Sequence, residues 1–253
     1  MNKIQLAVDI GNTETVVGAY LRTKPDAETV YRISTDDRIT PDELHSRLYP
    51  HLLEVEVDHL VISSVVPRAD FLWLEYGKRH LKTKCTILSA NLIPDVVIKG
   101  PDPDEVGVDR LVNTWIGHRR YKGPLVIVDM GTATTFDVVD DKGAYLGGII
   151  SPGVSLFPDA LSRRTARLPR VGLEIPEKVI GSNTKEALSS GIVLGHAAMV
   201  GGLLEMIAKE TGYNRAVATG GLSRTMKPLL KDRFLSFDPN LTIDGINQIG
   251  ALI

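Results

Sequence analysis

Only one cysteine, Cys85, occurs in the 253 residues, so no intramolecular disulfide can form, and nothing beside it resembles a redox or metal-binding pair. It reads as a buried or half-buried thiol. Apolar runs long enough to span a bilayer are missing too, and the apolar N-terminus meets Asp9 before it could serve as a signal h-region. Together these absences point to the cytoplasm and away from a membrane partner. Neither charge is in excess: 29 Lys and Arg against 31 Asp and Glu leave a formal charge of −2, which provides no global field for nucleic acid or anionic lipid. Phosphate binding must therefore be local. The six histidines (His45, His51, His59, His80, His118 and His196) lack ligand-like spacing, which argues against zinc.

The two familiar glycine-rich phosphate loops are also absent. No Gly-x-x-x-x-Gly-Lys-[Ser/Thr] stretch exists, and the first strand is followed by a second strand instead of by Gly-x-Gly-x-x-Gly and a helix. The basic run from Arg163 to Arg170 could neutralise phosphates, but it has no interleaved aromatics and reads as a solvated or interface loop.

What is present is a globular composition, 43% hydrophobic and 24% charged, in a chain long enough for two small domains. An internal echo supports two. Leu6-Ala7-Val8-Asp9-Ile10-Gly11-Asn12-Thr13-Glu14-Thr15-Val16-Val17 parallels Val126-Ile127-Val128-Asp129-Met130-Gly131-Thr132-Ala133-Thr134-Thr135-Phe136-Asp137. Each reads as apolar strand, Asp-x-Gly turn and second strand, and the two copies lie about half the chain apart. Between them, residues 60–66 read as a buried strand, and 41–53 and 71–81 as helices. Further on, 184–211 has the length and spacing of one or two helices, and 215–219 reads as a short strand ending at Gly220-Gly221. Strands separated by helices give an α/β fold, divided into residues 1–118 and 119–253.

The turns carry the chemistry. Gly11 lets the backbone approach phosphate oxygens, Asn12 and Thr13 supply donors, and Asp9 can hold hydrated Mg²⁺. An ordinary hairpin uses the same residue types for conformational reasons, so it is the repetition at Asp129 that raises the functional reading. Asp109 and Arg110, before an apolar helix, fit either of two roles. They can be a helix N-cap with an ion pair, or a carboxylate that accepts a hydroxyl proton beside a guanidinium that holds an anion.

Taken together, Asp9-Ile10-Gly11-Asn12-Thr13, Gly107-Val108-Asp109-Arg110, Asp129 to Asp137, Gly147-Gly148-Ile149-Ile150-Ser151-Pro152-Gly153, Thr165-Ala166-Arg167-Leu168-Pro169, Gly181-Ser182-Asn183-Thr184 and Thr219-Gly220-Gly221 resemble the type III pantothenate kinases nearly end to end. The resemblance implies two ribonuclease-H-like domains of the acetate and sugar kinase, Hsp70 and actin superfamily, with the active site in an interdomain cleft. It implies phosphorylation of pantothenate by ATP in coenzyme A biosynthesis. Asp9, Ile10, Gly11, Asn12, Thr13, Glu14, Thr15 and Val16 would form the first ATP loop, and Thr132 would contact ATP from the second. Asp129 would bind K⁺ or NH₄⁺, and Asp9 would bind Mg²⁺ through water. Gly107, Val108, Asp109 and Arg110 would contact pantothenate with Asp109 as proton acceptor, and Thr184 would be lent by the second subunit of a homodimer. A relative of this family acts as an accessory factor in transcription, so a chain without kinase activity is the alternative. One position departs from the pattern: where members often carry Tyr, seven residues before the Gly of Gly-x-Asp-Arg, this chain has Gly100.

Overall fold

Asp9 stands one residue from the end of a strand that is paired differently on its two sides. In the computed structural model, which describes residues 2–21, 27–53, 55–165 and 167–253, β1 (Asn2–Ile10) runs antiparallel to β2 (Glu14–Leu21), and β2 antiparallel to β3 (Thr29–Ser34). The chain then returns through α1 (Pro41–Leu48) so that β4 (Val55–Ser64) lies parallel to β1, and through α2 (Pro67–Tyr76) so that β5 (Lys84–Ile87) lies parallel to β4. The strand order is β3-β2-β1-β4-β5. Ala166, within one of the quoted motifs, lies outside the described residues.

The helices start where local chemistry allows. Thr40 caps α1 in a reciprocal box with Glu43, and Pro41 occupies a position whose N–H would be unpaired in any case. The helix expected over 41–53 is shorter, because it tightens into a 3₁₀ turn at Tyr49–His51. α2 ends in a π turn, Gly77–Leu81, where Gly77 leaves room for Cys85: a Cβ there would lie 2.2 Å from its Sγ.

One face of this sheet carries Ile4, Leu6, Val8, Ile10, Leu60 and Ile62, packed with Leu44, Leu48, Leu72, Trp73 and Tyr76 from α1 and α2. The other face, with Gln5, Ala7, Asp9 and Val61, meets α8 (Leu241–Gly250) near the end of the chain. Gln5 Nε2 donates to the backbone oxygen and to Oδ1 of Asn247, both at 2.7 Å, and Tyr20 OH donates to Asp244 at 2.7 Å. Thr242 Oγ1 donates to Asn113 Oδ1 (2.7 Å) on α3 (Val108–Tyr121).

The second sheet repeats the first. β6 (Leu125–Met130), β7 (Ala133–Val139) and β8 (Tyr145–Pro152) form an antiparallel meander, and β9 (Ala216–Thr219) and β10 (Ser236–Phe237) add in parallel on the other side of β6. The order β10-β9-β6-β7-β8, read from its far edge, is that of the first sheet. Its core of Val126, Val128, Phe136, Val193, Val200, Ala218, Met226 and Leu230 is covered by α4 (Leu156–Arg164), α5 (Thr184–Ser189), α6 (Gly195–Thr211) and α7 (Ser223–Leu230).

Two expectations need correction. The division at 118/119 becomes Arg119/Arg120, but Asn240–Ile253 belongs with the first unit, because α8 closes the Gln5 face of the first sheet. The other concerns a bilayer-length apolar run. Thr184–Thr211, 28 residues of α5, a π turn and α6, is long and apolar enough by length and composition, with a mean hydropathy of 1.6. Its inward side, Ile192, Val193, Val200 and Ile207, is part of the second core.

Leu241, Ile243, Ile246 and Ile249 of α8 are all buried, and at about 1.5–3 kcal/mol each their burial amounts to most of a domain's net stability. A chain cut after Pro239 should therefore lose cooperative unfolding of its first unit. Circular dichroism melting of the truncated and full chains checks this, with the second unit's transition as internal reference.

Candidate functional site

The first turn is closed by Gly11 N–H donating to the Glu14 carbonyl at 3.1 Å. Thr35, just beyond β3, locks it from the side: its hydroxyl donates to the Gly11 carbonyl (2.7 Å) and its N–H to the Thr13 carbonyl (3.0 Å). With the Thr35 proton so committed, Thr15 Oγ1 is the donor in the 2.8 Å contact between the two hydroxyls. Thr15 is thus buried and structural in its side chain, while Asn12, Thr13 and Glu14 are exposed, and Glu14 accepts from Arg32 at 2.6 Å. Asp9 and Val16 are half-buried register partners, and Ile10 is fully buried.

Val65 links this turn to the Gly107–Arg110 segment. Its N–H donates to the Ile10 carbonyl (3.1 Å), and its Cγ1 lies 3.8 Å from where a Cβ on Gly107 would stand. The Gly107 carbonyl accepts from Arg110 N–H (3.1 Å) and Leu111 N–H (3.3 Å), so Gly107 opens α3 and Asp109 falls within the first turn instead of at the cap. Asp109 Oδ1 accepts the Arg110 N–H at 2.9 Å and lies 2.5 Å from the missing Gly107 Cβ. Any side chain at 107 would displace that carboxylate. Burial pushes the Asp109 carboxyl above its ordinary value, and the Arg110 N–H and guanidinium offset this only in part.

In the second unit, Gly131 N–H donates to the Ala133 carbonyl (3.0 Å), and Gly153 N–H donates to the Thr132 carbonyl (2.9 Å). Gly153 is pressed on this turn: a Cβ would come within 2.3 Å of the Gly131 oxygen. Gly220, at φ +85, is pressed on Asp129, with the missing Cβ 2.3 Å from Oδ1 and 2.7 Å from Met130 N. Asp129 therefore sits in a cradle that only glycine permits. The GGIISPG motif had no role assigned from sequence; contact with the second turn is its role at Gly153.

Thr184 is exposed at the first position of α5, after the cap Asn183, and among the described residues no hydrogen bond joins it to the second turn. Gly100 has φ +104, so the departure from Tyr coincides with a backbone that L side chains rarely adopt. Among the described residues no three His, Cys, Asp or Glu cluster as a metal cage. Single carboxylates at Asp9 and Asp129 beside backbone turns suit instead ions carried in with phosphate and water.

Residues 5–206 match the type III pantothenate kinase family, and a type III pantothenate kinase from Deinococcus radiodurans is 41% identical over 254 residues, covering 97% of this chain and 95% of the relative. The chain belongs to the type III pantothenate kinase family. The kinase is accordingly a phosphotransferase. Its fold is shared more widely: a ROK family glucokinase from Streptomyces griseus superposes with a TM-score of 0.54 at 10% identity, covering 99% of the kinase and 100% of that chain. A Campylobacter jejuni protein assigned to the Baf family of transcriptional activators gives 0.57 at 19% identity, covering 96% of both chains. At such identities the likeness concerns the fold alone.

The raised Asp109 carboxyl has a signed consequence for stability. The folded chain holds that proton to higher pH than the unfolded chain, so the stabilisation is complete below the ordinary value of 3.8 and is lost as pH rises through the folded value. At neutral pH the buried charge is a burden. Asp109→Asn, which removes it, should melt at or above the wild-type temperature at pH 7 and lose that advantage below pH 4, as calorimetry across the range would reveal.

Proposed function

We propose that this kinase transfers the γ-phosphate of ATP to the hydroxyl of pantothenate, giving 4′-phosphopantothenate in the first step of coenzyme A biosynthesis, with Asp109 as the proton acceptor. The observation that carries this assignment is the Asp109 carboxylate itself. Half-buried, it is desolvated enough to raise its proton affinity, held by the backbone N–H groups of Arg110 and of Asp109 itself, and kept clear of a side chain by Gly107. A base tuned upward is better matched to a hydroxyl proton at neutral pH than an ordinary aspartate.

Around it, Asp9 to Val16 would receive phosphate at the exposed Asn12 and Thr13 of the turn that Gly11 closes, with Asp9 meeting Mg²⁺ through water. Thr132 would contact ATP from the second turn, and the cradled Asp129 would hold K⁺ or NH₄⁺. Gly107, Val108 and Arg110 would contact pantothenate, Arg110 through its anionic carboxylate. Bound Mg²⁺ supplies charge neutralisation on the phosphates. A lone half-buried thiol, Cys85, suits a reducing cytoplasm.

A homodimer fits the surface of α5 and α6. Ala187, Gly191, Gly195 and Ala198 are exposed along one side, Met206 is 67% exposed, and at Gly191, Gly195 and Gly202 a Cβ would meet nothing within 4 Å. Glycine inside an exposed helix costs about 1 kcal/mol relative to alanine, which close packing by a second copy would offset. Thr184 would reach the neighbouring pantothenate site from this surface.

Purified protein with ATP, Mg²⁺ and pantothenate should release ADP in a pantothenate-dependent manner, and much less when sodium is the sole monovalent ion. In that assay Asp109→Asn should lower kcat by roughly 10²-fold or more, the scale of general-base catalysis, with ATP binding little changed. Near-normal kcat would make Asp109 a helix-start residue only. For the dimer, light scattering should give twice the chain mass for the wild type and monomers for Gly195→Arg, with raised KM for pantothenate in that variant. A fully active wild-type monomer would refute the dimer.

A further inference from the structure

Two buried hydroxyls take no part in the chemistry assigned so far. Ser63 on β4 and Thr219 on β9 are each 0% exposed, and among the described residues neither Ser63 Oγ nor Thr219 Oγ1 has a hydrogen-bond partner. Their places in the two sheets correspond. Ser63 is the register partner of Asp9 across the parallel β1–β4 pair, and Thr219 is the register partner of Asp129 across β6–β9. Register partners on adjacent strands project from the same face, with strands about 4.8 Å apart, so each hydroxyl stands beside its aspartate. Thr219 also leads directly into Gly220, whose open face accommodates Asp129 Oδ1.

Packing does not account for these hydroxyls. A buried hydroxyl without a partner is a net cost that alanine at 63 or valine at 219 would remove with little change of shape. The same arrangement occurs in both units on different local sequences, Ile62-Ser63-Ser64 and Ala218-Thr219-Gly220. A small residue alone would serve the backbone equally well.

We infer that Ser63 and Thr219 are positioning residues for the two aspartates. When phosphate and its cations engage the turns, each hydroxyl rotates to donate its proton to one carboxylate oxygen, leaving the other oxygen aimed at the ligand. This rests on the ATP-side roles proposed above for Asp9 and Asp129.

The test compares Ser63→Ala and Thr219→Val with the hydroxyl-retaining Thr219→Ser, using melting temperature, steady-state kinetics and calorimetric titration of MgATP without pantothenate. Both hydroxyl deletions should melt at or above wild type while KM and Kd for MgATP rise roughly tenfold, ~1.4 kcal/mol. KM for pantothenate should move less than about twofold, and Thr219→Ser should restore MgATP affinity. MgATP parameters unchanged in both deletions would overturn the inference. So would losses that track a lower melting temperature and are not restored by Thr219→Ser. A wild-type protein that binds MgATP yet releases no pantothenate-dependent ADP would refute the substrate assignment alone, and the MgATP titrations would still decide the role of the hydroxyls.

Discussion

Both units depend on one constraint: a central strand with an antiparallel neighbour on one side and a parallel neighbour on the other. At the end of β1 the antiparallel side must turn at once, through Gly11, while the parallel side leads from β4 into Val65 and α2. An aspartate placed there stands beside a tight turn on one side and the end of a crossover strand on the other. β6 repeats this with Asp129, Gly131 and the Thr219–Gly220 bend. The pairing pattern, more than any single residue, makes the position suitable for an anion and its cation.

Asp109 shows how a site conflicts with the stability of its own fold. Its carboxylate accepts a helix-start N–H, which any N-terminal acidic residue could do, yet burial makes its charge unfavourable. The structure keeps it in place by sterics: Gly107 leaves a space that only the carboxylate fills.

Much of this was legible in the sequence because it is local. The Asp-x-Gly turns, the flanking strands and their duplication depend on residues within a dozen positions of each other, and the β1–β2 register Ile10 to Thr15 follows from the turn length. Asp109 could be singled out, but its residues alone left cap and base open, because its place inside the first turn depends on Gly107 opening the helix. Ser63 and Thr219 were hidden for the same reason: nothing in Ile62-Ser63-Ser64 indicates that Asp9 lies in register beside it. The helix 241–250 has an apolar face visible to anyone counting residues, but that face does not name its partner. Proximity in sequence suggested the second unit, whereas Gln5, Tyr20 and Asn113 hold it to the first.

That last attachment sets an order of events during synthesis. Units of a chain generally fold from the N-terminus as they emerge from the ribosome. Here the first sheet must wait with Gln5, Gly18 and Tyr20 uncovered while residues 120–239 are made, and these can complete their own unit in the meantime. The earliest strand to appear is thus among the last to be finished, and the half-covered sheet is the species that a chaperone would meet during translation.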